Sequence, residues 1–261
     1  MAYKKLKLWF DGELADLLSE KINAVPHEFD GERYRQAVEA GVDSLELKDR
    51  VELMADLLGE QLGLGYEGNV KVLLQIMGPE NLKETEMFTE YYWLMPVAKY
   101  IEKYGLEHFE LSMQAIEEIT KRNTGEFTIR PFLTNYPEKT LAQMKVWSGH
   151  ENRHVRRLAT EGVRPRLPWA SKLQAFIDDP MPIIPILETL KDDPSKYVQN
   201  SVANNLNDIM KDNFQIGKDI LDAWKVNPTR ERAWIIKHAI RNYRKKQIPW
   251  ALEMTRELSG K

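Results

Sequence analysis

Apolar residues recur at three- and four-residue intervals through most of this 261-residue chain. Over residues 45–62 they fall at Leu45, Val51, Met54, Ala55, Leu58 and Leu62, one stripe along a helix. Gly63 and Gly65 follow and predict its end. Residues 69–77 and 115–120 carry the same period, and alternating strand patterns of useful length are scarce. The pattern predicts an all-α chain punctuated by glycine and proline.

The second half repeats itself weakly. WSGHENRHVRRLATEG from Trp147, LKDDPSKYVQNSVANN from Leu190 and WKVNPTRERAWIIKHA from Trp224 share one plan. A large apolar residue closes one helix, a polar turn follows, and a second helix starts about six residues later. The offsets, 43 and then 34 residues, suit stacked helix pairs of the HEAT type. The expected architecture is an α-solenoid of HEAT-like repeats. Its second helices should line one concave surface, with Arg153, Lys196 and Arg230 in one row, Arg157, Asn200 and Trp234 in the next, and Glu161, Asn204 and His238 in a third. Val155, Leu158, Val198, Val202, Leu206 and Ile209 should face the other way. The division read from this is one repeat domain over 1–261, with N-terminal helices over 1–100 and the repeats carrying the candidate site over 101–261.

Charge sharpens that division. The net charge of −3 hides 24 acidic and 12 basic residues in 1–120, against 16 acidic and 25 basic in 121–261. An acidic half joined to a basic half suits contact between the basic repeats and a polyanion. Arginine and lysine neutralise phosphates, and asparagine donates hydrogen bonds to them, so the groove composition suits a nucleic-acid backbone. There is no cysteine, which excludes disulfides and thiolate chemistry. The N-terminus lacks the apolar core of a secretory signal, and no run approaches the roughly 18 apolar residues of a membrane span. A soluble, cytoplasmic monomer is expected.

Two features bear on chemistry. His150-Glu151-Asn152-Arg153-His154 fits the HExxH pattern of zinc hydrolases, which needs both histidines on one buried helix face and a third ligand. Ser148-Gly149 precede it as a turn, Arg153, Arg156 and Arg157 crowd it with cations, and His27, His108 and His238 do not complete a ligand set. No metal and no cofactor are expected. The second feature is a group of acids. Glu161 lies among Arg156, Arg157, Arg164 and Arg166. Asp208 ends a polar face of Asn200, Asn204 and Lys211. Glu126 precedes Arg130 by one turn. Taken alone, none of these acids marks a site, and Glu161 reads more readily as an i, i+4 salt bridge.

Four segments decide between these readings. GEFTIRPFL at 125–133, RHVRRLATEGVRPRLPW at 153–169 and VANNLNDIMKD at 202–212 resemble the bacterial HEAT-like-repeat DNA alkylation-repair glycosylases, specifically the AlkC branch. FDGERYRQAVEAGVDSLELKDRV at 29–51 is similar to that branch as well. The branch's immunoglobulin-like extension has no counterpart before Lys261. The resemblance implies excision of cationic N3-alkylated bases, 3-methyladenine and 3-methylcytosine, from duplex DNA in the bacterial nucleoid. It implies that Glu126, Glu161 and Asp208 stand against the lesion and that Trp169 lies near the cationic base. Arg130, Arg153, Arg157, Arg164, Arg166, Lys211 and Arg241, with Asn200 and Asn204, are the candidates for contacts to the DNA. A non-catalytic HEAT-like scaffold binding DNA or protein through the same groove is the alternative. It has no use for acids facing phosphates.

Overall fold

A computed structural model of the protein describes residues 4–85 and 88–259. The chain divides into two compact units, Met1–Pro131 and Phe132–Lys261. Every regular element among the described residues is helical.

The first unit contains α1 (Gly12–Asn23), α2 (Gly31–Val42), α3 (Leu47–Leu62), α4 (Gly65–Gln75), α5 (Phe88–Tyr91), α6 (Leu94–Tyr104) and α7 (Phe109–Thr120). The helix expected over 45–62 begins at Leu47 and stops where expected, because Gly63 takes φ 64° and its N–H bonds back to the Gly59 carbonyl. The helix expected over 69–77 starts earlier, at Gly65. Asn69 explains the difference: its side chain accepts from the Leu64 N–H and donates to the Gly59 carbonyl, tying the short turn from inside α4. Asp11 and Asp30 cap α1 and α2 by accepting backbone N–H groups. Leu14, Leu18, Val38, Met54, Leu58, Leu73, Leu94, Val97 and Ile116 are fully buried and form this unit's core.

After α8 (Arg130–Asn135), the second unit contains α9 (Pro137–Trp147), α10 (Arg153–Glu161), α11 (Gln174–Asp178), α12 (Ile184–Leu190), α13 (Lys196–Asp212), α14 (Phe214–Trp224), α15 (Arg230–Ala239), α16 (Arg241–Lys245) and α17 (Pro249–Glu257). The repeat is present as read. α9, α12 and α14 close on Trp147, Leu190 and Trp224, and α10, α13 and α15 open on Arg153, Lys196 and Arg230. α13 packs between α10 and α15, and the first helices cover their other side. Trp147 and Trp224 are almost fully buried, as are Val155, Leu158, Val198, Val202 and Leu206.

The turns between paired helices carry much of the order. In the middle turn, Asp193 accepts from Arg156 of α10 at 2.6 and 3.2 Å, while Asp192 accepts from Arg232 of α15 at 3.0 Å. Two consecutive aspartates therefore tie the middle pair to both neighbours. Asparagines of α13 do the same further along. Asn205 donates to the Thr160 carbonyl at 2.8 Å, and Asn207 to the Ala239 carbonyl at 2.7 Å. Each satisfies a carbonyl at a helix C-terminus.

Candidate active site

HExxH does not lie on one helix. His150 sits in the turn before α10, where its Nδ1 accepts the Asn152 N–H, and Asn152 caps the helix by accepting from the His154 N–H. Only His154 is helical, and it is buried edge-on against Tyr197. The i, i+4 histidine face that zinc hydrolysis needs is not formed. Among the described residues no group of three or more His, Cys, Asp or Glu is arranged to hold a metal.

Glu161 and Asp208 come together in the second unit through Arg164. Its Nη1 donates to Glu161 Oε1 at 2.6 Å and its Nε donates to Asp208 Oδ2 at 2.8 Å. Glu161 is the last residue of α10, and Asp208 lies in the penultimate turn of α13. Arg164 reaches both because the chain turns sharply at Gly162-Val163 beyond the helix end. Arg157 approaches the same Glu161 oxygen at 3.6 Å, while the Ser201 hydroxyl donates to the other. Lys211 donates to Asp208 Oδ1 at 2.7 Å. Glu161 and Asp208 are 5% and 1% exposed.

The electrostatics follow from this geometry. Burial alone pushes the Glu161 carboxyl up, but Arg157, Arg164 and the Ser201 hydroxyl together hold it below the usual glutamate range. Arg164 answers with a raised value: burial lowers it, and the two carboxylates more than reverse that. Two buried carboxylates this close would otherwise force one to take a proton. The shared guanidinium keeps Glu161 ionised.

The other candidates take varied places. Arg241 donates to Asn204 Oδ1 at 2.8 Å, and burial followed by the nearby Arg164 pushes its guanidinium down. Arg166 forms a two-pronged pair with Asp212 at 2.5 and 2.6 Å. Arg157 lies over the Tyr197 ring, 5.0 Å from its centroid. Arg153 opens α10, and Asn200 is half-buried on α13. Trp169 is 83% exposed and takes φ 64°, a left-handed backbone that an aromatic residue rarely adopts. Glu126 and Arg130 belong to the first unit, where both are buried; the Thr124 hydroxyl donates to Glu126 Oε2 at 2.9 Å.

Ser201, Tyr197 and Arg164's bridging geometry were not legible from spacing. The aligned rows set Glu161 beside Asn204 and Arg157 beside Asn200. In the structure Glu161 meets Ser201 and Arg157 meets Tyr197, about one helical turn earlier on α13. The helices cross, so neighbours lie on diagonals, and a Ser or Tyr three residues off an alignment row gives no sequence signal.

The chain is similar to known proteins in sequence and in fold. The family model for DNA alkylation repair enzymes matches residues 94–243. Over 156 residues the chain is 49% identical to the uncharacterized protein YhaZ of Bacillus subtilis (strain 168), a match covering 59% of this chain and 43% of YhaZ, so it spans less than half of that relative. The fold superposes with a TM-score of 0.88 and 33% identity on the Pseudomonas fluorescens alkylpurine DNA glycosylase AlkC bound to DNA containing an abasic site analog, covering 97% of this chain and 68% of that one. The chain belongs to the DNA alkylation repair enzyme family.

Proposed function

We propose that the protein is a monofunctional DNA glycosylase that removes cationic N3-alkylated bases, 3-methyladenine and 3-methylcytosine, from duplex DNA and leaves an abasic site. The observation that carries this reading is the pair of buried acids, Glu161 and Asp208, joined by one guanidinium on a fold like that of AlkC.

An N3-alkylated base already carries positive charge and departs neutral, so no general acid is needed. Breaking the glycosidic bond moves that charge onto the deoxyribose. A carboxylate roughly 6 Å away, at an effective dielectric of about 20, stabilises a unit positive charge by about 2.8 kcal/mol, or about a hundredfold in rate. Arg157 and Arg164 reduce the net field but keep Glu161 charged and fixed. That preorganisation distinguishes a site for a developing cation from a solvent-exposed acid. Glu161 or Asp208 also has acceptor capacity left to orient the attacking water. Glu126 is kept as the third acid on its motif alone.

Arg164 is assigned to positioning the acids, since its donors face them. Arg153, Arg157, Arg166, Lys211 and Arg241, with Asn200 and Asn204, remain the candidates for the DNA backbone, as does Arg130 in its own unit. Trp169 remains the candidate to meet the cationic base on its motif position, where cation–π attraction would be worth about 0.5–2 kcal/mol.

The test is incubation of the purified chain with a panel of alkylated duplexes in EDTA. Free base should appear while the strand stays intact until it is treated with alkali. Salt-sensitive binding without base release from any duplex would favour the scaffold reading.

A further inference from the structure

Hydroxyls inside the helices of this chain commonly bond back along their own helix. Ser19 of α1 donates to the Ala15 carbonyl at 2.7 Å, Thr120 of α7 to the Ile116 carbonyl at 2.6 Å and Thr255 of α17 to the Ala251 carbonyl at 2.7 Å. Each bond runs back one turn, the usual resting place for a helical hydroxyl. Ser201 departs from that habit. It lies inside α13 and is 2% exposed, yet its hydroxyl donates across to Glu161 Oε2 on α10. A hydroxyl has one proton to give, so this bond is made in place of the local one.

The carboxylate it reaches needs a second anchor. Rotation of a glutamate carboxylate about its terminal bond is a soft, two-fold torsion, which the side chain itself sets weakly. Arg164 holds Oε1 at 2.6 Å, and Arg157 approaches that same oxygen at 3.6 Å. Both guanidiniums therefore act on one end, and a single held oxygen leaves a pivot. Ser201 is the donor that holds the other end among the described residues. Because it comes from α13, the orientation of the carboxylate is tied to the packing of α10 on α13. The field is asymmetric as well. Oε1 is offset by two cations, whereas Oε2 meets a neutral hydroxyl, so Oε2 is the oxygen better able to act on a positive charge. The neighbours of Ser201 on α13 serve the same group of residues: Tyr197, one turn before, lies against Arg157, and Asp208 accepts from Arg164.

We propose that Ser201 is a positioning residue: its hydroxyl locks the rotation of the Glu161 carboxylate and presents Oε2 to the charge that develops as the base leaves. It acts through Glu161 and not on the substrate. The inference rests on the glycosylase reading for the reaction it serves, while the anchor itself rests on the Ser201–Glu161 bond.

The experiment compares the full chain with S201A, E161Q and the E161Q/S201A double variant. N205A is the control, because Asn205 also joins α13 to α10 but through the Thr160 carbonyl and not through an acid. The first readout is the Glu161 side-chain carboxyl resonance against pH, assigned by its loss in E161Q. Burial raises this carboxyl, and Arg157, Arg164 and Ser201 lower it. Its midpoint should therefore rise by about one pH unit in S201A and stay in place in N205A. The second readout is single-turnover release of 3-methyladenine from duplex DNA at neutral pH and saturating protein. S201A should release base about tenfold more slowly, bind an abasic-site duplex within about twofold of the full chain, and cost E161Q nothing further. S201C, which keeps the volume and weakens the donor, carries both readouts if S201A does not fold, with the same signs and smaller effects. An unmoved midpoint, an equal shift in N205A, undiminished release by an active S201A, or an equal loss in the E161Q background would overturn the positioning role. A midpoint raised in S201A alone, with no base release by any of the proteins, would support the anchor and overturn the glycosylase reading.

Discussion

Arg164 and Asp208 meet across forty-four residues of sequence, guanidinium Nε to carboxylate Oδ2, at 2.8 Å. The same guanidinium holds Glu161, so one residue from the turn after α10 sets the distance between two acids on different helices. Removing it takes away the one cation both buried acids share, leaving Arg157 and Ser201 beside Glu161 and Lys211 beside Asp208, and breaking a buried pair from one side typically costs 3–5 kcal/mol. R164A should lose about that much stability in urea denaturation at neutral pH. In the unmodified protein Glu161's depressed value gives stability that is full above the unfolded glutamate value, about 4.3, and lost as pH falls through the lower folded value. In R164A Glu161 should shift upward as burial is less offset, which shrinks that contribution. The gap between the two proteins should therefore narrow on acidification below about pH 5; a gap constant from pH 7 to 4 would contradict the bridge.

Trp169 combines exposure with a left-handed backbone. Such conformations in bulky residues point to function when the surroundings hold them. W169A should leave the urea midpoint nearly unchanged, since little is buried. It should slow release of a cationic base by roughly 2- to 30-fold, the equivalent of 0.5–2 kcal/mol. Large destabilisation with unchanged release would assign Trp169 to packing.

Asp192 and Asp193 are neighbours with different burial. Asp193 is 6% exposed and accepts from Arg156 and from the Ser195 N–H. D193A should cost about 2–3 kcal/mol, the range for charge-assisted bonds lost from a buried group. The Asp192 side chain is 35% exposed, and D192A should cost less than about 1 kcal/mol. Equal losses in chemical denaturation would contradict this reading of the repeat turn.

His238 is held neutral by burial first and by Arg241 and Lys196 second, with its value pushed down to about 4. Its folded value lies below the unfolded one, about 6.5, so its contribution is full above pH 6.5 and is lost as pH falls toward 4. Imidazole resonances should show one histidine titrating near 4 in the free protein, and moving upward when duplex DNA neutralises the cations around it. A value near 6.5 in both states would contradict uncompensated positive charge there.

Fold class and helix pairing were legible because they depend on local signals: a 3.6-residue period, a large apolar residue closing each first helix and a polar turn of fixed length before Arg153, Lys196 and Arg230. The ion-pair geometry was not. Arg164 looked like one more phosphate-binding cation, since nothing in RRLATEGVRPR records that its guanidinium turns back to Glu161 and across to Asp208. Ser201 and Tyr197 are equally silent, because which α13 residue faces Glu161 depends on the helix crossing and not on the repeat offset. Asn69 illustrates the same limit in the first unit: a mid-helix asparagine that ties a turn has no local signature.

The most direct test is single-turnover release of 3-methyladenine from duplex DNA by the unmodified chain, E161Q and D208N, each at saturating protein. These substitutions keep shape, remove charge and turn one acceptor oxygen of each side chain into a donor NH2. Release by the unmodified chain, a loss of about a hundredfold or more in each variant, and retained binding to an abasic-site duplex are the expected results. Release undiminished in both variants, or absent from the unmodified chain while it binds the duplex, would contradict the acid pair as the seat of catalysis.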